Sequence, residues 1–399
     1  MKKTIIGLLL IFSFCTTTAQ NDSCSCLSEL DYVATQLKST PSYKSQVKNT
    51  ARHDAYLAGI QNKINQDSDI DRNCLAYLQQ YLKVLKDEHN YIIDRSKNTD
   101  YTAMTPLYGK PLEAIYAQNE RHNDSITGTY KLLDFYTVVV TKDAPDATVY
   151  TAVVVDTKNE QWQQGQIKFT LTKAGDSFHG IFYDGDHSPR YQKIEFKAGR
   201  LYPERWIHDE FKANWQVNNY QIQGDTFAYK KLTEQTHYIR LGDFDGDNTT
   251  YGQAMDLLEE LEQNFSSGNL IIDLRNNGGG GRRTSDPFVK YLKKIKKDIK
   301  IYVMQNRNVG SNSEQFILKL ENQIGGIITL GENTRGALAY GFGNYAKPSL
   351  ITPCFGYSLG LTTTKYERFL AYEGVGLTPN FYLDSKTAWI DQVLAKIEQ

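Results

Sequence analysis

Apolar residues recur at helical spacing along the first part of the chain, as Leu27, Leu30, Val33 and Leu37 and again as Leu75, Leu78, Leu82 and Leu85. Glycine is nearly absent from Ser28 to Leu85, so this stretch predicts a small helical unit. From about Gly128 to Tyr229 the period falls to two, in segments such as Tyr136 to Val140, Thr148 to Val155 and Gln166 to Leu171. Breaks at Ala174 to Ser177 and Asp184 to Asp186 separate them. That pattern predicts an antiparallel barrel or sandwich, with Trp162, Trp206 and Trp215 as core or edge packing. Beyond Thr236 strands and helices alternate: Tyr238 to Leu241, Leu270 to Leu274, Ile301 to Met304 and Ile327 to Leu330 read as strands. Ala254 to Phe265, Pro287 to Lys294 and Glu314 to Leu320 read as helices. Such alternation implies βαβ units around a mostly parallel sheet. The expected chain is therefore multidomain, with a helical N-terminal domain over 20–100, an antiparallel β domain over 125–232 and an α/β domain over 233–399.

The first 19 residues have the three parts of a secretory signal: Lys2 and Lys3, an apolar run from Ile5 to Phe14, and small residues from Thr16 to Ala19. Cleavage is expected after Ala19, giving an exported, periplasmic or extracellular protein. Cys15 offers lipoprotein anchoring as the alternative, disfavoured because bulky Phe14 stands where a small residue is needed. No later segment carries the about 18 apolar residues of a membrane span. Cys24, Cys26, Cys74 and Cys354 would then lie in an oxidising compartment, and a bridge from Cys24 or Cys26 to Cys74 is expected. Cys-x-Cys without a nearby histidine is poor zinc spacing. The formal charge of −1, evenly interspersed, argues against a nucleic-acid partner.

Candidate chemistry begins at Asn269 to Gly281, an apolar strand running into Arg275, two asparagines and four glycines. Bare backbone at a strand's carboxyl end is where open α/β sheets bind ligands. About thirty residues later, Ser311 and Glu314 form a capping-box pattern ahead of Phe316, Ile317 and Leu320. Ser311 can be a plain helix cap, or a nucleophile beside free N–H groups at the positive end of a helix. Asp243 to Asn248 has the carboxylate spacing of a calcium loop. Asn248, however, replaces the turn glycine and Ala254 the bidentate acid, and a polar turn with a capping Asp or Asn accounts for it equally.

Four blocks in order, LIIDLRNNGGG, GSNSE, GENTRG and YEGVGLTP, resemble the tail-specific, C-terminal-processing peptidases of serine peptidase family S41. The resemblance covers Tyr238 to Leu383 and extends more weakly to Leu85 to His89. It implies a ClpP/crotonase-like βαβ core and serine endopeptidase activity on peptide or protein substrates, with no cofactor. In the family's Ser–Lys branch a lysine follows the GExTxG block; here Ala337 stands there, and Lys347 is displaced by ten positions. The resemblance is instead to the tricorn-core-like branch, which implies Ser311 as nucleophile, His89 as base and Glu373 as orienting carboxylate, directly or through a bridging hydroxyl or water.

Imidazole suits the role of base because a serine hydroxyl is a weak nucleophile at neutral pH. The oxyanion hole would be backbone N–H groups of Gly278 or Gly279 and of Asn312. Glu88, Asn90 and Asn380 depart from the family pattern, and no PDZ segment is recognisable. Those departures motivate an alternative, a catalytically weak or inactive peptide-binding protein on a peptidase scaffold.

Overall fold

The computed structural model describes residues 24–96, 99–122, 124–343 and 349–399. Met1 to Ala19 and Lys347, to which the leader and the displaced-lysine readings apply, lie outside the described residues.

Four helices open the chain: α1 (Cys26–Leu37), α2 (Pro41–Gln46), α3 (Thr50–Gln66) and α4 (Ile70–Leu82). Ser25 caps α1, and Leu30, Val33, Ala34 and Leu37 form its buried stripe. A Cys26–Cys74 disulfide pins α1 to α4. After α4 ends, three residues short of the expected Leu85, a turn leads to strand β1 (Tyr91–Ile93) and the short helices α5 (Tyr101–Met104) and α6 (Leu112–Arg121).

Eight strands then close a barrel: β2 (Gly128–Leu132), β3 (Tyr136–Thr141), β4 (Val149–Thr157), β5 (Ile167–Ala174), β6 (Ser177–Tyr183), β7 (Pro189–Lys197), β8 (Arg200–Tyr202) and β9 (Trp206–His208). Alternate residues such as Val138, Val140, Ala152, Val154, Phe169 and Leu171 fill it, together with Trp162 and Trp206. Trp215 is only half-buried and donates its indole N–H to the Ala198 carbonyl, 3.0 Å away.

The last unit is a mixed six-stranded sheet. Its order is β10 (Phe227–Lys231), β11 (Thr236–Leu241), β12 (Gly268–Asp273), β13 (Ile299–Gln305), β14 (Ile328–Gly331) and, at the far edge, Phe381–Tyr382. Only the β10–β11 pair is antiparallel. Helices α7 (Asn248–Asn264), α8 (Arg282–Lys294), α9 (Asn312–Gln323) and α10 (Trp389–Ile397) connect and cover the sheet. Its central strands are apolar on both faces: Leu270 and Ile272 belong to one core, Ile271 and Tyr302 to another. A mixed α/β architecture with a mostly parallel sheet is thus present.

Between β14 and that edge strand come β15 (Tyr340–Gly341), β16 (Leu350–Ile351), β17 (Ser358–Gly360) and β18 (Thr364–Lys365). Strand β17 pairs with β1, and Tyr357 and Leu359 pack into the core of the helical N-terminal unit. Late residues therefore complete an early core.

Candidate active site

The segment DLRNNGGGG leaves the carboxyl end of β12, and its polar side chains build the loop. Arg275 pairs with Asp273 (Nη2 to Oδ2, 2.6 Å) and Tyr238 donates to the same carboxylate at 2.9 Å. Asn277 donates to the Leu241 carbonyl at 2.8 Å, while its Oδ1 accepts from Ser313 Oγ (2.6 Å) and from the Gly279 N–H (3.0 Å). Gly279 (φ 113°) has no room for a side chain: a Cβ there would stand 2.6 Å from Ser311 Cβ. The glycine strip and the serine are pressed together.

Ser311 follows β13 and precedes α9 with φ 54° and ψ −123°, a region that non-glycine residues seldom occupy. Glu314 helps to hold it there. Glu314 Oε2 accepts the Ser311 N–H at 3.0 Å, and the buried Glu314 carboxylate is itself gripped by Thr334 Oγ1 (2.5 Å) and the N–H groups of Gly336 (2.7 Å) and Ala337 (2.9 Å). Burial pushes the Glu314 pKa up against these bonds. The Ser311 Oγ lies 3.0 Å from His89 Nε2.

His89 sits between α4 and β1. Its neighbours Glu88 and Asn90, the two departures from the family pattern, have local duties: Glu88 pairs with Lys83 at 2.7 Å, and Asn90 Oδ1 accepts the Thr362 N–H at 2.9 Å. Phe342 meets the His89 ring edge-on at 6.1 Å. Burial, aided by the positive charge of Arg335 and opposed by Asp87 and Glu88, holds the His89 pKa below the usual imidazole value. Burial thus favours the neutral form of the ring.

Glu373 reaches the same place from the other end of the chain. Asp87, His89 and Glu373 each bring one polar atom within 4.8 Å of the others. Glu373 makes no hydrogen bond to the imidazole: its oxygens accept the N–H groups of Glu88 (3.0 Å), Leu338 (2.9 Å) and Ala339 (2.6 Å). Burial raises its pKa to about 7, with the Asp87 charge adding and the backbone donors opposing. Both Glu373 oxygens are thus engaged by backbone N–H groups, and His89 Nε2 lies on Ser311.

His89 Nδ1 is buried and has no hydrogen-bond partner. The carboxylate tied most closely to this residue is Asp87, whose Oδ1 accepts the His89 backbone N–H at 3.2 Å and whose Oδ2 accepts from Thr362 Oγ1 at 2.7 Å. Sequence reasoning assigned Asp87 no role, although its place two residues before the histidine was the available signal.

Of the expected oxyanion donors, Gly279 has its N–H spent on Asn277. Gly278, which is exposed, has no such partner, and Asn312 opens α9, where no helical carbonyl can accept its N–H. Ser311 and His89 share a cleft of about 790 Å³ with Gly280, Arg282, Tyr340, Phe342 and Tyr366. The calcium-like segment lies at its rim, where Asp247 caps α7 by accepting the N–H groups of Thr249 (2.8 Å) and Thr250 (3.1 Å).

No family profile matches the chain, and no curated protein matches it by sequence. Solved structures do resemble it. The photosystem II D1 C-terminal processing protease aligns at 13% identity with a TM-score of 0.36, covering 91% of this chain and 94% of that one. Mature CPAF aligns at 11% and 0.46, covering 93% and 97%. A putative S41 protease from Bacteroides fragilis aligns at 12% and 0.32, covering 73% and 86%.

Proposed function

We propose that the protein is an exported serine endopeptidase in which Ser311 attacks the scissile carbonyl, His89 takes and returns the proton, and the Asp87–Glu373 carboxyl pair steadies the imidazolium. The observation that carries this reading is the 3.0 Å approach of His89 Nε2 to Ser311 Oγ, made by a serine in a strained turn against a glycine strip. As Ser311 attacks, its proton passes to Nε2 and positive charge spreads over the ring. Nδ1, otherwise unpaired, then faces the nearby carboxyl oxygens. The tetrahedral oxyanion is placed to receive the N–H groups of Gly278 and Asn312 at the α9 N-terminus. An extended peptide fits along β15, which borders the cleft and pairs with β18 on its other side.

Ser311→Ala should lower hydrolysis of a peptide library by at least about 10³-fold while leaving the melting curve in place; unchanged turnover would sink the assignment. A fluorophosphonate probe should label wild type and not Ser311→Ala. An inactive peptide-binding protein would stay unlabelled in both.

A further inference from the structure

Apart from the Cys26–Cys74 bridge, two thiols remain among the described residues, Cys24 and Cys354. They are far apart in sequence and meet at the start of α1. The Ser28 hydroxyl donates to the Ser25 carbonyl at 2.8 Å and lies 3.2 Å from the Ser25 hydroxyl and 3.5 Å from Cys354 Sγ, so the cap that directly follows Cys24 touches Cys354. Glu29 fixes the other side. Buried one turn into α1, its Oε1 accepts the N–H groups of Cys354 (2.9 Å) and Phe355 (2.5 Å) and the hydroxyl of Thr352 (2.9 Å). Residue 354 is thus clamped to the helix that Cys24 precedes. The Cys354 side chain is the largest of the influences that raise the Cys24 pKa, ahead of desolvation and the charge of Glu29.

We propose that Cys24 and Cys354 are a second cystine-forming pair, joined by a small-molecule or protein disulfide as oxidant. The electron balance is simple. One cysteine, as its thiolate, attacks the oxidant disulfide and releases one thiolate; the other then attacks the resulting mixed disulfide and releases the second. Two protein thiols become one disulfide, and the oxidant disulfide becomes two thiols. Because the raised pKa lowers the thiolate fraction, the reaction should quicken as pH rises towards 9. Cys24 is exposed and Cys354 half-exposed, so an oxidant can reach them, unlike the buried Cys26–Cys74 pair. Once closed, the bridge staples the β16–β17 turn to the helical unit at a second point.

The test uses the full-length protein incubated with oxidised glutathione at pH 8.5, blocked with N-ethylmaleimide, and digested without reduction for mass spectrometry. The expected result is a peptide pair linked through Cys24 and Cys354, two hydrogens lighter than the separate peptides, with neither cysteine carrying the blocking group. Cys354→Ser should abolish the link and leave Cys24 blocked or glutathionylated. Two blocking groups or two glutathione adducts on the oxidised wild type, without the linked pair, would overturn the proposal, as would linkage of Cys24 to Cys74.

Discussion

Ser311 stores strain that its neighbours pay for. A non-glycine residue at its φ and ψ costs on the order of 1–3 kcal/mol, and here Glu314, Asn277 and Gly279 hold it in place. Gly279→Ala should therefore displace the serine and cut kcat by about 10²-fold or more, since an ångström of misplacement has that effect; peptide hydrolysis together with fluorophosphonate labelling measures it. The two carboxyl groups near His89 should separate by pH. The raised pKa of Glu373, about 7 against an ordinary value near 4.5, means that the folded protein holds a proton that the unfolded chain has lost. Stability attributable to Glu373 is full below about pH 4.5 and declines until about pH 7, so Glu373→Gln should flatten that decline, as urea unfolding at pH 5 and pH 7.5 would register. Asp87→Asn removes the charge that most opposes the low His89 pKa. It should move the acid limb of the kcat/KM profile to still lower pH.

At the scale of elements, strong periodicity was legible and pairing was not. The stripes of α1 and α4 and the alternation through the barrel stand out because each element buries one face against a core, and the apolar runs of β11 to β14 stand out because those strands are buried on both faces. Strands β1 and β17 are three residues each and belong to opposite ends of the chain, so no local pattern marks them. Helix α6 was missed for a related reason: only Ile115 and Gln118 are buried along it, too few to form a stripe. The blocks around Ser311 and Glu373 were readable because each is a short run of fixed residue types at close spacing. The support from Asp87 and Thr362 depends on a tertiary contact between those opposite ends. Leu359→Ala should test that contact, since it empties a fully buried site in β17. It should cost about 2–4 kcal/mol of stability by chemical denaturation and lower turnover more than an equally destabilising change inside the barrel, such as Val138→Ala.

At the scale of the whole molecule, the helical unit, the barrel and the sheet unit are joined by specific polar ties as well as by the apolar packing of Tyr357 and Leu359. Tyr183 of the barrel donates to Asn73 of α4 at 2.8 Å, and Arg200 of the barrel meets Glu332 beside β14 at 3.3 Å. Ser311 and His89 come from different units, so their 3.0 Å approach depends on how these units dock. Arg200→Ala would remove one such tie and leave Glu332 short of its cation; the expected outcome is a lower cooperative melting temperature with an earlier loss of activity than of barrel structure, followed by circular dichroism against residual hydrolysis.

Strand β17, which comes late in the chain and seats itself on β1 beside His89, has a consequence for the order of biosynthesis. A ribosome makes the histidine early, then the serine, and only near the end the strand that pairs beside the histidine and the carboxylate that joins it. Until that last portion has been made, the chain can form its helices and its barrel but cannot gather Asp87, His89 and Glu373 into one cluster.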